Sequence, residues 1–253
     1  MRNLKLILAY DGSDFCGFAP QPGRRSVFSE LKAAIEKLLK RKIKITGASR
    51  TDSGVHTLGQ VISFKSKIRI PKSKLPLALN NLLPEDIRVM QVQLVGSKFN
   101  ARFSAKSKEY EYLIYNGHIK PPHLKNLVWH LRPKLNLSRM RRAAQILKGR
   151  HDFSSFCASG HSHKNLVRTI YQITIKKKQL VLFGDRKIQV ISLKFRGDGF
   201  LYRMVRNLVG TLVGVGMGKI DLTQLKNILK AKDRKLAGRT APACGLCLIK
   251  VIY

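Results

Sequence analysis

Gly47-Ala48-Ser49-Arg50-Thr51-Asp52-Ser53-Gly54-Val55-His56 is the stretch from which the rest of the chain is read. It is rich in turn-forming residues and lies between two runs of strand character. Lys42 to Thr46 alternates ahead of it, and Gln60 to Phe64 follows as a second strand. The loop presents one acid, Asp52, flanked by Arg50 and His56, with further bases from Lys65 onward. A cationic setting keeps an aspartate ionised and so available as a nucleophile or base. An aspartate in a turn also shapes its own loop by hydrogen bonding, and both readings stand at this point.

The charge balance is what makes a lone carboxylate informative. The 253 residues include 49 Lys and Arg against 14 Asp and Glu, a net charge of +35. A hydrophobic fraction of 44% is that of a globular chain, so this is no basic disordered tail. The charge therefore sits on a folded surface and calls for a polyanion, nucleic acid ahead of an anionic membrane. Phosphates repel carboxylates, so an acid among bound phosphates needs a purpose. No run approaches the ~20 apolar residues of a spanning helix. Leu4 to Tyr10 is too short for a signal sequence, and Cys16, Cys157, Cys244 and Cys247 make no disulfide scaffold. The expectation is a cytoplasmic protein with no membrane partner, with room for one large domain or two small ones.

Working outward, Leu4 to Tyr10 reads as a strand. Ser26 then caps a helix with Val27, Leu31, Ala34, Ile35, Leu38 and Leu39 on one face. Leu77 to Leu83 is a short helix, and Arg88 to Val95 and Lys108 to Tyr115 are strands. The basic, proline-containing segment His118 to Pro133 reads as a crossing between halves. A helix (Ser138 to Leu147) and strands (Val167 to Ile175, Leu180 to Phe183, Ile188 to Phe195) follow. Phe200 to Val215 is a helix, and Asp221 caps another over Leu222 to Leu229, with Gln224 in capping-box position. Leu246 to Ile252 is the last strand. The pattern predicts an α+β protein of two halves, residues 1–117 and 118–253.

Other residues carry two readings each. Tyr110 and Tyr112 share one face of their strand and Tyr115 takes the other. Tyr112 is read as sheet packing. Tyr110 lies nearer Arg102, Lys106 and Lys108, so stacking on an unpaired base and packing are both open. Arg203 and Arg206 fall on one helical face, where an arginine either snorkels or pairs with a buried acid. Cys244-Gly245-Leu246-Cys247 would need two more zinc ligands, with Cys157, His161 and His163 the candidates, and is read as packing. Gly210, Gly214, Gly216 and Gly218 lack the order of a dinucleotide loop, and Lys176-Lys177-Lys178 reads as a solvated hairpin turn.

Arg50-Thr51-Asp52-Ser53-Gly54-Val55-His56 with Gly59-Gln60-Val61 resembles the active-site loop of the TruA-type tRNA pseudouridine synthases. The likeness runs along the chain through Tyr10-Asp11-Gly12, Leu83-Pro84-Glu85-Asp86-Ile87, Phe99 to Ala105, Lys108 to Tyr112, His151-Asp152-Phe153, Tyr202 to Gly210 and Ala241-Pro242-Ala243. It implies the pseudouridine synthase fold, two similar α+β halves with antiparallel sheets meeting at a central basic active-site cleft. It implies Asp52 as nucleophile, Arg50 as the residue that helps extrude the base, and Arg206 as partner of the aspartate. Tyr110 would stack on the uracil, with His56 and Arg102 as further substrate contacts.

The implied reaction uses no cofactor and no metal. A uridine of tRNA, at positions 38 to 40 of the anticodon stem-loop, has its N1–C1′ bond broken and is rejoined through C5. Attack on C6 of the base and on C1′ of the sugar both fit. The resemblance also implies a homodimer that binds tRNA. An enzyme of the same family acting on another RNA, and a non-catalytic RNA-binding protein, are the competing readings. Phe18-Ala19 stands where the family has Trp-Gln, which puts target-stem contacts there in question. Ser49 and Ser53 replace smaller residues, and Ser53 is placed to bond Asp52.

Overall fold

The computed structural model describes residues 1–67, 70–160, 164–181 and 187–253. In chain order the elements are β1 (Arg2–Tyr10), α1 (Val27–Leu39), β2 (Thr46–Gly47), β3 (His56–Ser66), α2 (Leu75–Asn80), β4 (Ile87–Val95) and β5 (Ser107–Tyr115). β6 (Trp129–His130), α3 (Leu137–Leu147), β7 (Gly149–Asp152), β8 (Val167–Val181), β9 (Lys187–Gly197), α4 (Met204–Gly216), α5 (Leu222–Ala231) and β10 (Leu246–Ile252) complete the chain. They form two compact units, one of Met1–Lys106 with Cys247–Tyr253 and one of Ser107–Leu246. Both are α+β. No helix among the described residues is long and apolar enough to cross a membrane.

The division does not follow a single cut near residue 117. β5 belongs to the second unit because it pairs with β9 from Lys108 opposite Gly197 to Ile114 opposite Ile191. β10 returns to the first unit, parallel to β3, where the Thr57 hydroxyl donates to the Leu248 carbonyl at 2.8 Å. The segment 118–133 is no crossing either. Within it, β6 pairs in parallel with β5, Trp129 opposite Ile114, and Asn116 Nδ2 donates to the carbonyls of Leu131 and Pro133. Leu124, Val128 and Trp129 are buried there, so apolar anchors outweigh the prolines and bases that suggested a linker.

In the first unit the strand order is β4-β1-β3-β10, with β2 also on β3. β1 is antiparallel to both β3 and β4. Its alternation buries Leu4, Leu6 and Leu8 against Val27, Leu31 and Ile35 of α1 and Leu75 and Leu79 of α2. Each such side chain, taken fully out of water, contributes about 1.5–3 kcal/mol. Ser26 caps α1 as its sequence requires, its Oγ accepting the Ser29 N–H at 3.2 Å. Lys42 to Thr46 does not form a strand. Ile43 and Ile45 turn into the core and Lys42 and Lys44 to solvent, but only Thr46 and Gly47 meet a partner strand. The alternation reports which side is wet, which is a different matter from ladder pairing.

In the second unit the order is β5-β9-β8-β7, antiparallel throughout. β8 runs unbroken over 15 residues, so Lys176-Lys177-Lys178 is strand and not a turn. Lys178 is held there by Glu111 on β5, its Nζ donating to both carboxylate oxygens at 3.0 Å, while the Ser192 hydroxyl donates to Oε1 at 2.6 Å. Burial alone would raise Glu111, but those two hydrogen bonds and the charges of Lys178 and Lys194 hold it below the usual carboxylate range. Leu180 and Val181 close the same strand, and the rest of the strand expected to Phe183 lies outside the described residues. α5 carries the capping box expected of it, Asp221 accepting the Gln224 N–H and Gln224 accepting the Asp221 N–H.

Candidate active site

The Asp52 loop is fixed by its neighbours one residue at a time. Ala48 donates to the Val61 carbonyl at 2.8 Å, continuing the β2 pairing. At Ser49 the fully buried Gln60 side chain takes over, accepting the Ser49 N–H at 3.1 Å and donating to the Ser49 carbonyl at 2.8 Å. At Thr51 the Oγ1 is 2.7 Å from the Tyr10 hydroxyl, and the carbonyl accepts from Phe18 at 3.0 Å. Asp52 to Val55 is a turn closed by the Val55 N–H on the Asp52 carbonyl. Asp52 is half-buried, so a reactive carboxylate here is presented by a backbone that is itself held rigid.

Gln60 is the key clamp, and its loss has a stated size. Gln60→Leu strands the N–H and carbonyl of Ser49 in a buried setting, where each unsatisfied group costs about 1–3 kcal/mol. The expected result is a stability loss of about 2 kcal/mol by urea unfolding, with turnover reduced.

The opening loop packs against this turn from the other side. Gly17 forms a bridge with Asp52 at φ +118°, and a β-carbon on it would lie 2.8 Å from the Thr51 carbonyl oxygen. Only glycine allows that approach. Ser53 does not bond Asp52 as its position suggested; its hydroxyl donates to the Phe15 carbonyl at 3.1 Å and so ties the two loops. Phe18 is buried against Phe28, ring centroids 5.9 Å apart, and over Gly47. Its ring fills the core and does not reach out to an RNA stem.

His56 is 9% exposed and faces the same opening loop. Its Nδ1 accepts the Gly12 N–H at 3.2 Å and lies 3.1 Å from Asp11 Oδ1. The Gly12 N–H needs the lone pair of that nitrogen and the carboxylate needs a proton on it, so the tautomer of the ring decides which neighbour it binds. Asp11 is raised by burial but more strongly lowered by both bonds from Ser13 and by His56. His56 thus joins loop to loop, a positioning part rather than a surface contact.

Tyr110 and Arg206 belong to the second unit. Tyr110 is buried on β5 opposite Phe195, edge-on to Phe200 at 5.2 Å and 83°. Tyr112, read as packing, is fully buried with its hydroxyl donating to the Pro242 carbonyl at 2.8 Å. Arg206 does not snorkel. Its Nε donates to the Ala241 carbonyl at 2.8 Å, and the Ala241 N–H donates back to the Arg206 carbonyl at 3.1 Å. The helix carrying it starts at Met204, not Phe200, because Arg203 sits at φ +56° and cannot be the first helical residue. With no acid in its first turn and Arg206 within it, α4 opposes its own dipole.

Arg50 is exposed beside Asp52. Arg102 is exposed too, but elsewhere. Its neighbour Ala101 donates to the Ser63 hydroxyl at 3.0 Å, seven residues along β3 from His56. At ~3.3 Å per residue that is ~23 Å from the loop end, so the structure does not bring Arg102 to the Asp52 loop. Cys244 and Cys247 lie in different units, and among the described residues no three metal-ligand types cluster. His161 and His163, proposed as zinc partners, lie outside the described residues. Tyr10 and Gln60 are supporting residues that sequence reasoning left without a role, since a buried polar side chain shows its role only through its partner in the fold.

A family model described as tRNA pseudouridine synthase matches residues 6–104 and 143–253. The chain is 45% identical to the tRNA pseudouridine synthase A of Thermoanaerobacter sp. (strain X514) over 253 residues, covering 100% of both. It is 43% identical to the protein of that name from Acetivibrio thermocellus, again covering 100% of both. Against that of Bacillus subtilis (strain 168) the identity is 43% over 252 residues, 99% of this chain and 98% of the other.

Proposed function

The chain belongs to the tRNA pseudouridine synthase family, and from that premise we propose that Asp52 is the nucleophile that converts uridine to pseudouridine at positions 38 to 40 of tRNA. The observation that carries this reading is the Asp52 loop, a single carboxylate on a backbone bonded at Ala48, Ser49, Thr51 and Val55. An isomerisation needs no hydrolytic water and no second carboxylate across the bond. The base leaves through N1, turns, and rejoins through C5. The proton on C5 is released and N1 gains one, so atoms balance without a cofactor.

A uracil in a stem must be flipped out first, at a cost of a few kcal/mol in unstacking. Arg50 occupies the vacated stack in this reading, which its exposure beside Asp52 supports. Tyr110 is the stacking residue for the uracil and Arg206 the partner of the carboxylate. His56 acts behind the loop, and Arg102 on the RNA beyond the target. The working form is a cytoplasmic homodimer bound to tRNA, and sedimentation at working concentration checks the dimer.

The test is nucleotide-resolution mapping of pseudouridine in unmodified tRNA transcripts after incubation with the protein. Conversion confined to the anticodon stem-loop is expected. Tight RNA binding without any pseudouridine would favour the non-catalytic reading, and conversion only in other RNAs would move the substrate class.

A further inference from the structure

The far end of the first unit carries a second cationic surface. A concave pocket of about 420 Å³ is lined by Arg41, Lys42, Lys44 and Lys65, with Asn3 and Asn100, and no carboxylate lines it. All four cations are exposed. Their arrangement is built by the fold. Ile43 and Ile45 pack into the core, which turns Lys42 and Lys44 outward together. Arg41 is oriented by a 3.0 Å bond from its guanidinium to the Ser66 hydroxyl. Glu36, the acid at this corner, is turned inward, its Oε1 accepting the Ile43 N–H at 2.9 Å with Lys32 at 3.9 Å. Four cations around a concavity that no carboxylate lines repel one another until an anion arrives.

The position of this pocket matters as much as its charge. Lys65 lies nine residues beyond His56 on β3, so the pocket stands ~30 Å along the strand from the Asp52 loop end. That is about nine steps of a duplex at ~3.4 Å each. The cations come from a strand and a separate segment and are spread around an open concavity. They suit an extended run of phosphates better than one small anion.

We propose that this pocket is a second RNA site, holding the phosphodiester backbone of the tRNA whose uridine is presented to Asp52. The inference rests on tRNA being the substrate. It makes the pocket a gauge of substrate length, engaged by a full tRNA and out of reach of a short hairpin around the target.

The test compares Lys42→Gln/Lys44→Gln/Lys65→Gln with Lys226→Gln/Lys230→Gln/Lys235→Gln, a set of exposed lysines that matches the charge removed. Each is titrated by fluorescence anisotropy with full-length tRNA and with a hairpin trimmed to about five base pairs, across a salt series. Removing two phosphate contacts weakens binding about 60-fold at 0.1 M salt and flattens the log–log salt slope by about 2. A loss of about 10–100-fold is expected for the first variant on full-length tRNA, with less than about a twofold change on the hairpin. The matched variant should show no such difference between the two RNAs. Equal losses on both RNAs, an equal length-dependent loss in the matched variant, or no loss at all would overturn the proposal. Pseudouridine mapping with the unaltered protein tests the catalytic reading separately, so the two fail independently.

Discussion

Asp52→Asn is expected to bind tRNA and to make no detectable pseudouridine. The substitution keeps the size of the side chain and removes the charge on which the proposed attack depends. Removing a nucleophile outright lowers turnover by at least ~10⁴-fold in enzymes where this has been dissected. The loop should survive, because its ties run through Gln60, Tyr10, Phe18 and Ser53 to the backbone of its neighbours. Affinity should hold or tighten a little, since a negative charge has left a surface that binds phosphates. If Asp52 served only to shape the turn, binding and turnover would fall together and partial turnover would remain. Filter binding and nucleotide-resolution mapping on the same preparation separate those outcomes.

Gly210→Ala should be the most damaging single methyl group in the second unit. In an exposed helix that change is stabilising by about 1 kcal/mol. Here a β-carbon at Gly210 would lie 1.6 Å from the Arg239 carbonyl oxygen, a separation no packing allows. The segment Arg239–Ala241 must then lift from α4, and with it goes the Ala241 carbonyl that holds Arg206 Nε. Overpacking of this kind costs about 1–3 kcal/mol or more, and a net loss of about 3 kcal/mol would lower the melting temperature by about 6–12 °C. Calorimetry reads the first effect. Turnover should fall further than stability explains at a temperature where the variant is folded, because Arg206 has lost its anchor. A melting temperature equal to that of the unaltered protein would show that the segment yields without cost.

Local signals in the sequence translate well into structure. The Ser26 cap, the Asp221 capping box and the apolar face of α1 each involve residues within a turn or two, and each forms as expected. The Asp52 loop is legible as a turn because Gly, Ser and Asp favour turns, and it closes through the Val55 N–H on the Asp52 carbonyl. Relations across long separations are not legible. Lys178 lies in a strand because Glu111, 67 residues earlier, waits for it. Arg102 reads as a neighbour of Tyr110 in sequence, yet Ala101 beside it is bonded to Ser63 in the first unit and Tyr110 belongs to the second. The row of glycines that resembles a failed nucleotide loop instead places Gly210, Gly214 and Gly216 within α4, where Gly210 meets a crossing strand of backbone.

The acids show the same contrast. Among the described residues, Asp11, Glu30, Glu36, Asp86, Glu111, Asp152, Asp198, Asp221 and Asp233 are bonded in caps, turns or ties. Composition reveals their scarcity and hides that most serve the fold.

The pairing of β10 with β3 has a consequence for how the protein is made. Thr57 finds its partner Leu248 only 191 residues later in the chain. A ribosome adding about 5–20 residues per second reaches that partner about 10–40 seconds after Thr57. Throughout that interval the His56–Thr57 edge of β3 lacks its β10 partner, and an unpaired strand edge is a template for pairing with other chains. The nascent chain is therefore vulnerable along this edge until β10 is made, and yield during overproduction should rise with a chaperone that covers strand edges.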